Sequence, residues 1–167
     1  TVRGGGAAAV VVLEPVGAPA ELRPGPPLVM DQKNLAFVPA VLPVVRGTTI
    51  EFSNSDDVQH NVFSPSAVAG KFDLGTYGPG ATRRVTLTEA GDVVVLCNIH
   101  MEMEARILVL DTPYFALRAA DGRYRIKDVP PGPYVLRSWQ GGWSPLRRTI
   151  DVPASGNLSV DVGDERP

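Results

Sequence analysis

The apolar stretches of this chain are short, and turn residues cut them off before any could grow into a helix. Ala9–Leu13, Val41–Val45, Asp92–Leu96 and Arg106–Leu110 are each about five residues long and rich in Val, Ile and Leu. A helix that buries a face needs roughly 10–12 residues of 3.6-residue periodicity, whereas a strand needs only 4–8. No stretch longer than two helical turns keeps that period. Between the apolar runs stand Pro15-Val16-Gly17-Ala18-Pro19 and Pro24-Gly25-Pro26-Pro27, which a helix does not tolerate. Seventeen Gly and sixteen Pro in 167 residues make roughly a fifth of the chain, above the ~12% of average usage and below the 25–30% of low-complexity sequence. The pattern predicts a folded all-β protein with many turns.

Along the chain, Gly4–Gly6 reads as loose and Ala9–Leu13 as a buried strand. From Leu35 onward strands follow at short intervals. Val41–Val45 ends at the Arg46-Gly47 turn, and Thr49–Ser53 alternates, with Ile50 and Phe52 on one face. Val58–Phe63 comes next. Gly75–Gly80 reads as pure loop and Ala81–Leu87 as strand-like. Asp92–Leu96 is a continuous run that suggests a strand buried on both faces, and Arg106–Leu110 closes the region. After Asp111-Thr112-Pro113 the style changes. Tyr114–Leu117 and Arg123–Ile126 around Asp121-Gly122 predict a hairpin. Tyr134–Trp139, Arg147–Val152 and Asn157–Val162 predict three further strands. Two all-β modules therefore part near Asp111.

The inventory also excludes. A single Cys removes any intrachain disulfide and any all-thiolate zinc or iron–sulfur site. A net charge of −2, a pI near 5.6 and no basic tract argue against a nucleic-acid partner, which needs clustered Lys and Arg. No apolar run approaches the ~20 residues of a membrane helix. The first residue is Thr1 rather than Met, so a leader is expected to have been removed.

What remains is a small set of metal-binding side chains in suggestive places. Cys97, His100 and Met103 lie in the stretch Cys97-Asn98-Ile99-His100-Met101-Glu102-Met103, and the other histidine, His60, opens His60-Asn61-Val62-Phe63-Ser64 on an earlier strand. Taken singly, each has a plainer reading: a Cys at a strand end is a small buried hydrophobe, and a lone His a surface or hydrogen-bonded residue. Together, one thiolate, two imidazoles and a thioether are the ligands of a blue-copper electron-transfer centre. A thiolate favours Cu(I) and imidazole suits Cu(II), so both states can be held with little movement. Zinc is chemically possible, but Met103 argues against it. A Cys–His nucleophile would need an orienting group, and Asn98 lies beside Cys97 itself. A multicopper oxidase needs more His than two, and a dinuclear copper site two bridging Cys. Trp139, Trp143 and Tyr134 either form a ligand-binding surface or fill a core.

The residues around these positions resemble the small cupredoxins, plastocyanin and amicyanin among them. Phe37-Val38-Pro39, Val44, Gly47, Ile50-Glu51-Phe52, Asn54, Asp56 and His60-Asn61-Val62 are similar to their first half. Phe72-Asp73, Pro79-Gly80, Gly91 and then Cys97, His100 and Met103 are similar to the second. A Met three residues after the His is the short amicyanin loop. The resemblance spans Asp31–Leu110 and implies a Greek-key β-sandwich holding one copper. His60, Cys97 and His100 would be its equatorial ligands, Met103 its weak axial ligand, and Asn61 the residue tying the His60 strand to the Cys97 loop. Ile99 stands where a Pro is usual, and Val93, Val95 and Leu96 replace the usual aromatics before the Cys. Met101 is a rival axial ligand, while Glu102 and Glu104 read as solvated rim charges. Met30 has no role in this scheme.

Asp121–Ile126 and Val129–Leu136 are similar to carboxypeptidase-regulatory-like (transthyretin-like) modules. That implies a second, smaller β-sandwich over residues 111–167, completed by the N-terminal strand of residues 1–16, with the copper domain inserted between. The pair of resemblances points to bacterial periplasmic proteins of the methylamine-utilisation type, hence to an exported location. The expected function is one-electron transfer between redox proteins, with His100 as the electron's exit and Met101 and Pro39 beside it as docking residues. The low net charge makes such a patch matter more than long-range steering. A copper carrier or store, or a cupredoxin fold kept only as a binding module, are the rival readings. A catalytic role is disfavoured, since four ligands leave no open position.

Overall fold

The structure, a computed structural model, describes residues 8–67, 70–144 and 147–162; Thr1 and the Gly4–Gly6 stretch lie outside them. Within the described residues the chain is all-β and contains no helix. Its thirteen strands, in chain order, are β1 (Val10–Pro15), β2 (Leu28–Gln32), β3 (Phe37–Val38), β4 (Val41–Val45), β5 (Thr49–Asn54), β6 (His60–Ser64), β7 (Phe72–Tyr77), β8 (Thr82–Thr86), β9 (Gly91–Leu96), β10 (Glu104–Leu110), β11 (Phe115–Leu117), β12 (Gly132–Trp139) and β13 (Arg148–Val152). The chain forms two compact units. Leu22–Asp111 is one, and the segments before and after it form the other.

In Leu22–Asp111 two sheets enclose one core. The first orders β4-β10-β9-β6-β7 and the second β3-β2-β5-β8. The β4–β10 and β2–β5 pairs are parallel and the others antiparallel. Strict alternation makes β5 what it is: Ile50, Phe52 and Asn54 point inward while Thr49, Glu51 and Ser53 stay half-exposed. β9 also alternates, with Val93 and Val95 buried but Val94 and Leu96 only half-covered. The reading of that run as buried on both faces is therefore corrected, because β-branched residues fill the half-covered face as well as the core face. Met30, Ile50 and Phe52 from one sheet meet Val44, Val93, Val95, Ile107 and Val109 from the other. Met30, which the sequence left without a role, is a fully buried core residue.

Other departures follow from polar residues that the sequence pattern misreads. Strand six begins at His60 rather than Val58, because Asn54 Nδ2 donates to Val58 O at 2.9 Å and folds the residues between into a turn. Gly75–Tyr77 belongs to β7, not to a loop. The β6–β7 register slips between Asn61↔Thr76 and Phe63↔Asp73. The extra residue sits in β7, where Gly75 takes φ +73°, a conformation that glycine adopts without strain. β2 emerges directly after the proline loop, and its buried Gln32 conceals its alternation.

The other unit has a single four-stranded sheet among its described residues, ordered β11-β1-β12-β13. β1 pairs with β11 over Val10–Val12 and with β12 over Val10–Pro15. The expected hairpin of Tyr114–Leu117 with Arg123–Ile126 does not form. β11 gives its edge to β1 instead, and Gly122 N to Ala119 O at 2.9 Å with Ala119 N to Arg123 O at 2.7 Å close a short turn with no strand pair beyond it. Asn157–Val162 likewise joins no ladder. Its Val160 and Val162, with Tyr124, Ile126 and Val129, pack against Val11, Leu13, Tyr134 and Leu136 of the sheet. Tyr134 and Trp139 are buried and Arg137 lies over the Trp143 ring at 4.2 Å, so these aromatics serve packing.

Phe52 fills the centre of the Leu22–Asp111 core. Phe52→Ala is expected to cost about 3–5 kcal/mol in denaturant unfolding, whereas Val38→Ser, on an exposed side chain, should change stability by less than about 0.5 kcal/mol.

Candidate metal centre

The site begins where β9 ends. Leu96 pairs with Glu104 of β10, so the seven residues Cys97–Met103 form the connection of an antiparallel hairpin. Met103 N–H donates to His100 O at 3.0 Å, which folds the far end of the loop back on itself. Cys97 and Met103, at its two ends, are both buried in the same apolar cluster. Met103 is 1% exposed and Met101 is 89% exposed. The loop therefore turns one thioether inward, into the core that also buries the thiol, and the other out to solvent.

His60 enters from β6, opposite Tyr77 of β7, with no solvent exposure. Its Nδ1 lies 3.1 Å from Nδ1 of His100, the rings standing 4.8 Å apart at 66°. Its Nε2 lies 2.8 Å from Oδ2 of Asp56. The carboxylate also accepts the backbone N–H groups of Asn34 at 2.6 Å and Leu35 at 3.0 Å. Burial pushes the Asp56 carboxyl up, but the Leu35 and Asn34 N–H groups and His60 outweigh it and hold the group below its ordinary value. An ionised carboxylate only accepts. In the neutral ring the proton of His60 therefore sits on Nε2, and the Nδ1 lone pair faces His100.

One ring nitrogen from each histidine and the Cys97 sulfur lie within 4.8 Å of one another; among the described residues no other group of three His, Cys, Asp or Glu side chains does so. The spacing suits a metal. At metal–nitrogen distances of about 2.0 Å, two nitrogens 3.1 Å apart subtend roughly 100° at a shared ion. The donor set of one sulfur and two nitrogens matches the soft-plus-imidazole combination that copper takes.

Three further polar side chains brace this arrangement. Asn61 Oδ1 accepts from Asn98 N–H at 3.3 Å and its Nδ2 donates to Asp73 Oδ1 at 3.0 Å, so the His60 strand is tied to the Cys97 loop. Asn54 Oδ1 accepts from Asp56 N–H at 3.0 Å. Tyr77 donates its hydroxyl to Phe52 O at 3.0 Å and accepts from Gln32 Nε2 at 2.8 Å. Glu104 turns outward to Arg106 at 3.1 Å, and Glu102 is exposed. The sequence brought forward His60, Asn61, Cys97, His100 and Met103; the structure gathers donor atoms of His60, Cys97 and His100, bonds Asn61 to the loop at Asn98 and buries Met103 in the core. It passed over what Asp56 and Asp73 do. An acid four residues before a histidine was the available signal for Asp56.

Residues 27–110 match the profile of copper binding proteins of the plastocyanin/azurin family. The chain belongs to that family. Solved structures similar to this plastocyanin/azurin-family chain include a Cu-containing nitrite reductase from Thermus scotoductus SA-01, at 28% identity and TM-score 0.49 over 58% of this chain. The chain spans only 25% of that enzyme's length. A reduced, Cu(I) form of an amicyanin variant matches at 24% identity and TM-score 0.48, covering 60% of this chain and 98% of the amicyanin. Amicyanin from Paracoccus versutus matches at 20% identity and TM-score 0.47, covering 53% and 85%. Among curated proteins none matches.

Two outcomes follow from the braces. Asn61→Ala leaves the Asn98 N–H and the Asp73 carboxylate without this partner and is expected to lower stability by about 1–3 kcal/mol, with faster amide exchange at Asn98. Desolvation raises the Tyr77 phenol from 10.0 to about 12. A phenol whose folded value is raised stabilises the fold fully below pH 10 and loses that contribution as pH climbs through 12. An alkaline near-ultraviolet titration should show a late-ionising tyrosine that Tyr77→Phe removes.

Proposed function

We propose that this copper-binding chain is a one-electron carrier whose copper would be held by His60, Cys97 and His100 and, more weakly, by Met103. The observation that carries the reading is the convergence of one sulfur and two imidazole nitrogens within 4.8 Å of one another. Copper held there would supply a Cu(II)/Cu(I) couple. The protein's part is to hold its ligands still. Cys97 is fixed by the end of β9, His60 by Asp56 and β6, and His100 and Met103 by the closed turn between them. Ligands on strands and a short hairpin need little rearrangement on gaining or losing an electron.

His100 is the only ligand of the four that is not fully buried, which supports it as the electron's exit. Ile99 and Met101 flank it in the loop and are 46% and 89% exposed, and Pro39 is exposed as well. We assign the docking of redox partner proteins to these apolar residues. With four ligands in place no position is left open for a substrate, so the reading is a carrier and not an enzyme. We further assign residues 31–110 to the copper domain, and residues 111–167 with the N-terminal strand to a carboxypeptidase-regulatory-like module. An exported, periplasmic location belongs to the same proposal.

Titration with Cu(II) tests the reading. An intense visible band from thiolate-to-copper charge transfer is expected in the wild type and absent in Cys97→Ala; a copper-loaded wild type without it overturns the proposal. Met103→Leu should keep the band and raise the reduction potential, while Met101→Leu should change neither.

A further inference from the structure

We propose that Asp56 is the positioning residue of this site: its carboxylate holds His60 in the Nε2–H form, and its charge biases the site toward the oxidised ion. The inference rests on the copper reading above and adds a residue that no ligand pattern contains.

Three donors converge on the two oxygens of Asp56. Oδ2 takes His60 Nε2 at 2.8 Å and Leu35 N–H at 3.0 Å, and Oδ1 takes Asn34 N–H at 2.6 Å. The carboxylate therefore cannot rotate away from His60 without breaking two backbone hydrogen bonds. Asn34 and Leu35 take φ of +55° and +57°, a left-handed conformation that a leucine adopts only where the surroundings hold it. Here it aims two successive N–H groups at one carboxylate. The turn that carries them is closed by Lys33 N to Ala36 O at 2.9 Å and its reciprocal bond at 3.2 Å. From below, Asn54 Oδ1 holds the Asp56 backbone N–H at 3.0 Å, and Asn54 Nδ2 reaches Val58 O and Tyr77 O. Asp56 is thus fixed from three sides before any ion arrives.

His60 has no solvent exposure, so water cannot exchange the proton between its nitrogens, and the group on Nε2 decides which nitrogen is free to bind. A carboxylate there does two separable things. By accepting the Nε2 proton it leaves Nδ1 as the ligand atom. By placing a negative charge one ring away from the ion it favours the dication over the monocation, in a setting where burial weakens screening. A neutral amide, whose oxygen can still accept the Nε2 proton, keeps the first effect and loses the second, whereas alanine loses both.

The test uses the full chain with Asp56→Ala and Asp56→Asn. In copper-free protein, nitrogen-15 NMR of the imidazoles should show His60 as the Nε2–H tautomer in the wild type and in Asp56→Asn. In Asp56→Ala it should be mixed or inverted. An Asp56→Ala protein that folds and keeps a pure Nε2–H tautomer overturns the positioning role; should Asp56→Ala fail to fold, Asp56→Asn carries the second arm alone. With copper, Asp56→Asn should bind Cu(II) about 10–100-fold more weakly with Cu(I) affinity little changed. That ratio raises the potential by roughly 60–120 mV at 59 mV per tenfold for one electron. An unchanged potential, or equal loss for both ions, overturns the charge role. A wild type that gives no thiolate–copper band overturns the carrier reading instead, while the copper-free tautomer comparison still decides whether Asp56 orients His60.

Discussion

An imidazole with no solvent exposure has two ring nitrogens to satisfy, and at His60 water supplies neither. A buried polar atom left without a partner costs about 1–3 kcal/mol, so the structure around His60 is organised to provide both. Nε2 is met by Asp56, which Asn54 at the end of β5 and the Lys33–Ala36 turn after β2 hold in place. Nδ1 is aimed at His100. One buried histidine thereby links both sheets of the sandwich to the loop that carries the remaining donors. Were β6 shifted by one residue, His60 would leave the interior and the cluster would have no second nitrogen.

The surrounding architecture gives that cluster stiffness. Cys97 follows directly on β9, whose Val93 and Val95 lie in the centre of the core, and the loop returns at once to β10. Asn61 then ties the His60 strand to the same loop. Donors held in this way are preorganised, so little has to move when a metal is bound. The other unit has its own apolar core and its own sheet, in which β1 sits between β11 and β12.

How much of this the sequence revealed depends on whether the responsible contacts are local. The alternation of Ile50 and Phe52 identified β5, and the spacing of Cys97, His100 and Met103 singled out the loop, because residues a few positions apart are constrained by their own backbone. β2 escaped notice, since Leu28–Gln32 ends in polar residues and the inward position of Gln32 depends on Tyr77, forty-five residues away. β7 was hidden by Gly75, which reads as a loop residue until the register slip is seen. The hairpin expected after Tyr114 was a sound local inference that a distant strand overrode: β1 offered β11 three paired residues and brought its own buried valines.

By itself the sequence determined an all-β chain, and it placed one thiol, one imidazole and two thioethers within a seven-residue stretch. It also carried a second imidazole, His60, which the family resemblance assigned to the same metal without fixing its partners or its ring geometry. Only the tertiary structure decided that His60 faces His100 across forty residues, that Met103 turns inward while Met101 stays in solvent, and that Asp56 stands on the far nitrogen of His60. Spacing along a chain sets local geometry. Which distant side chains meet is set by cross-strand register and by the demand that every buried polar atom find a partner.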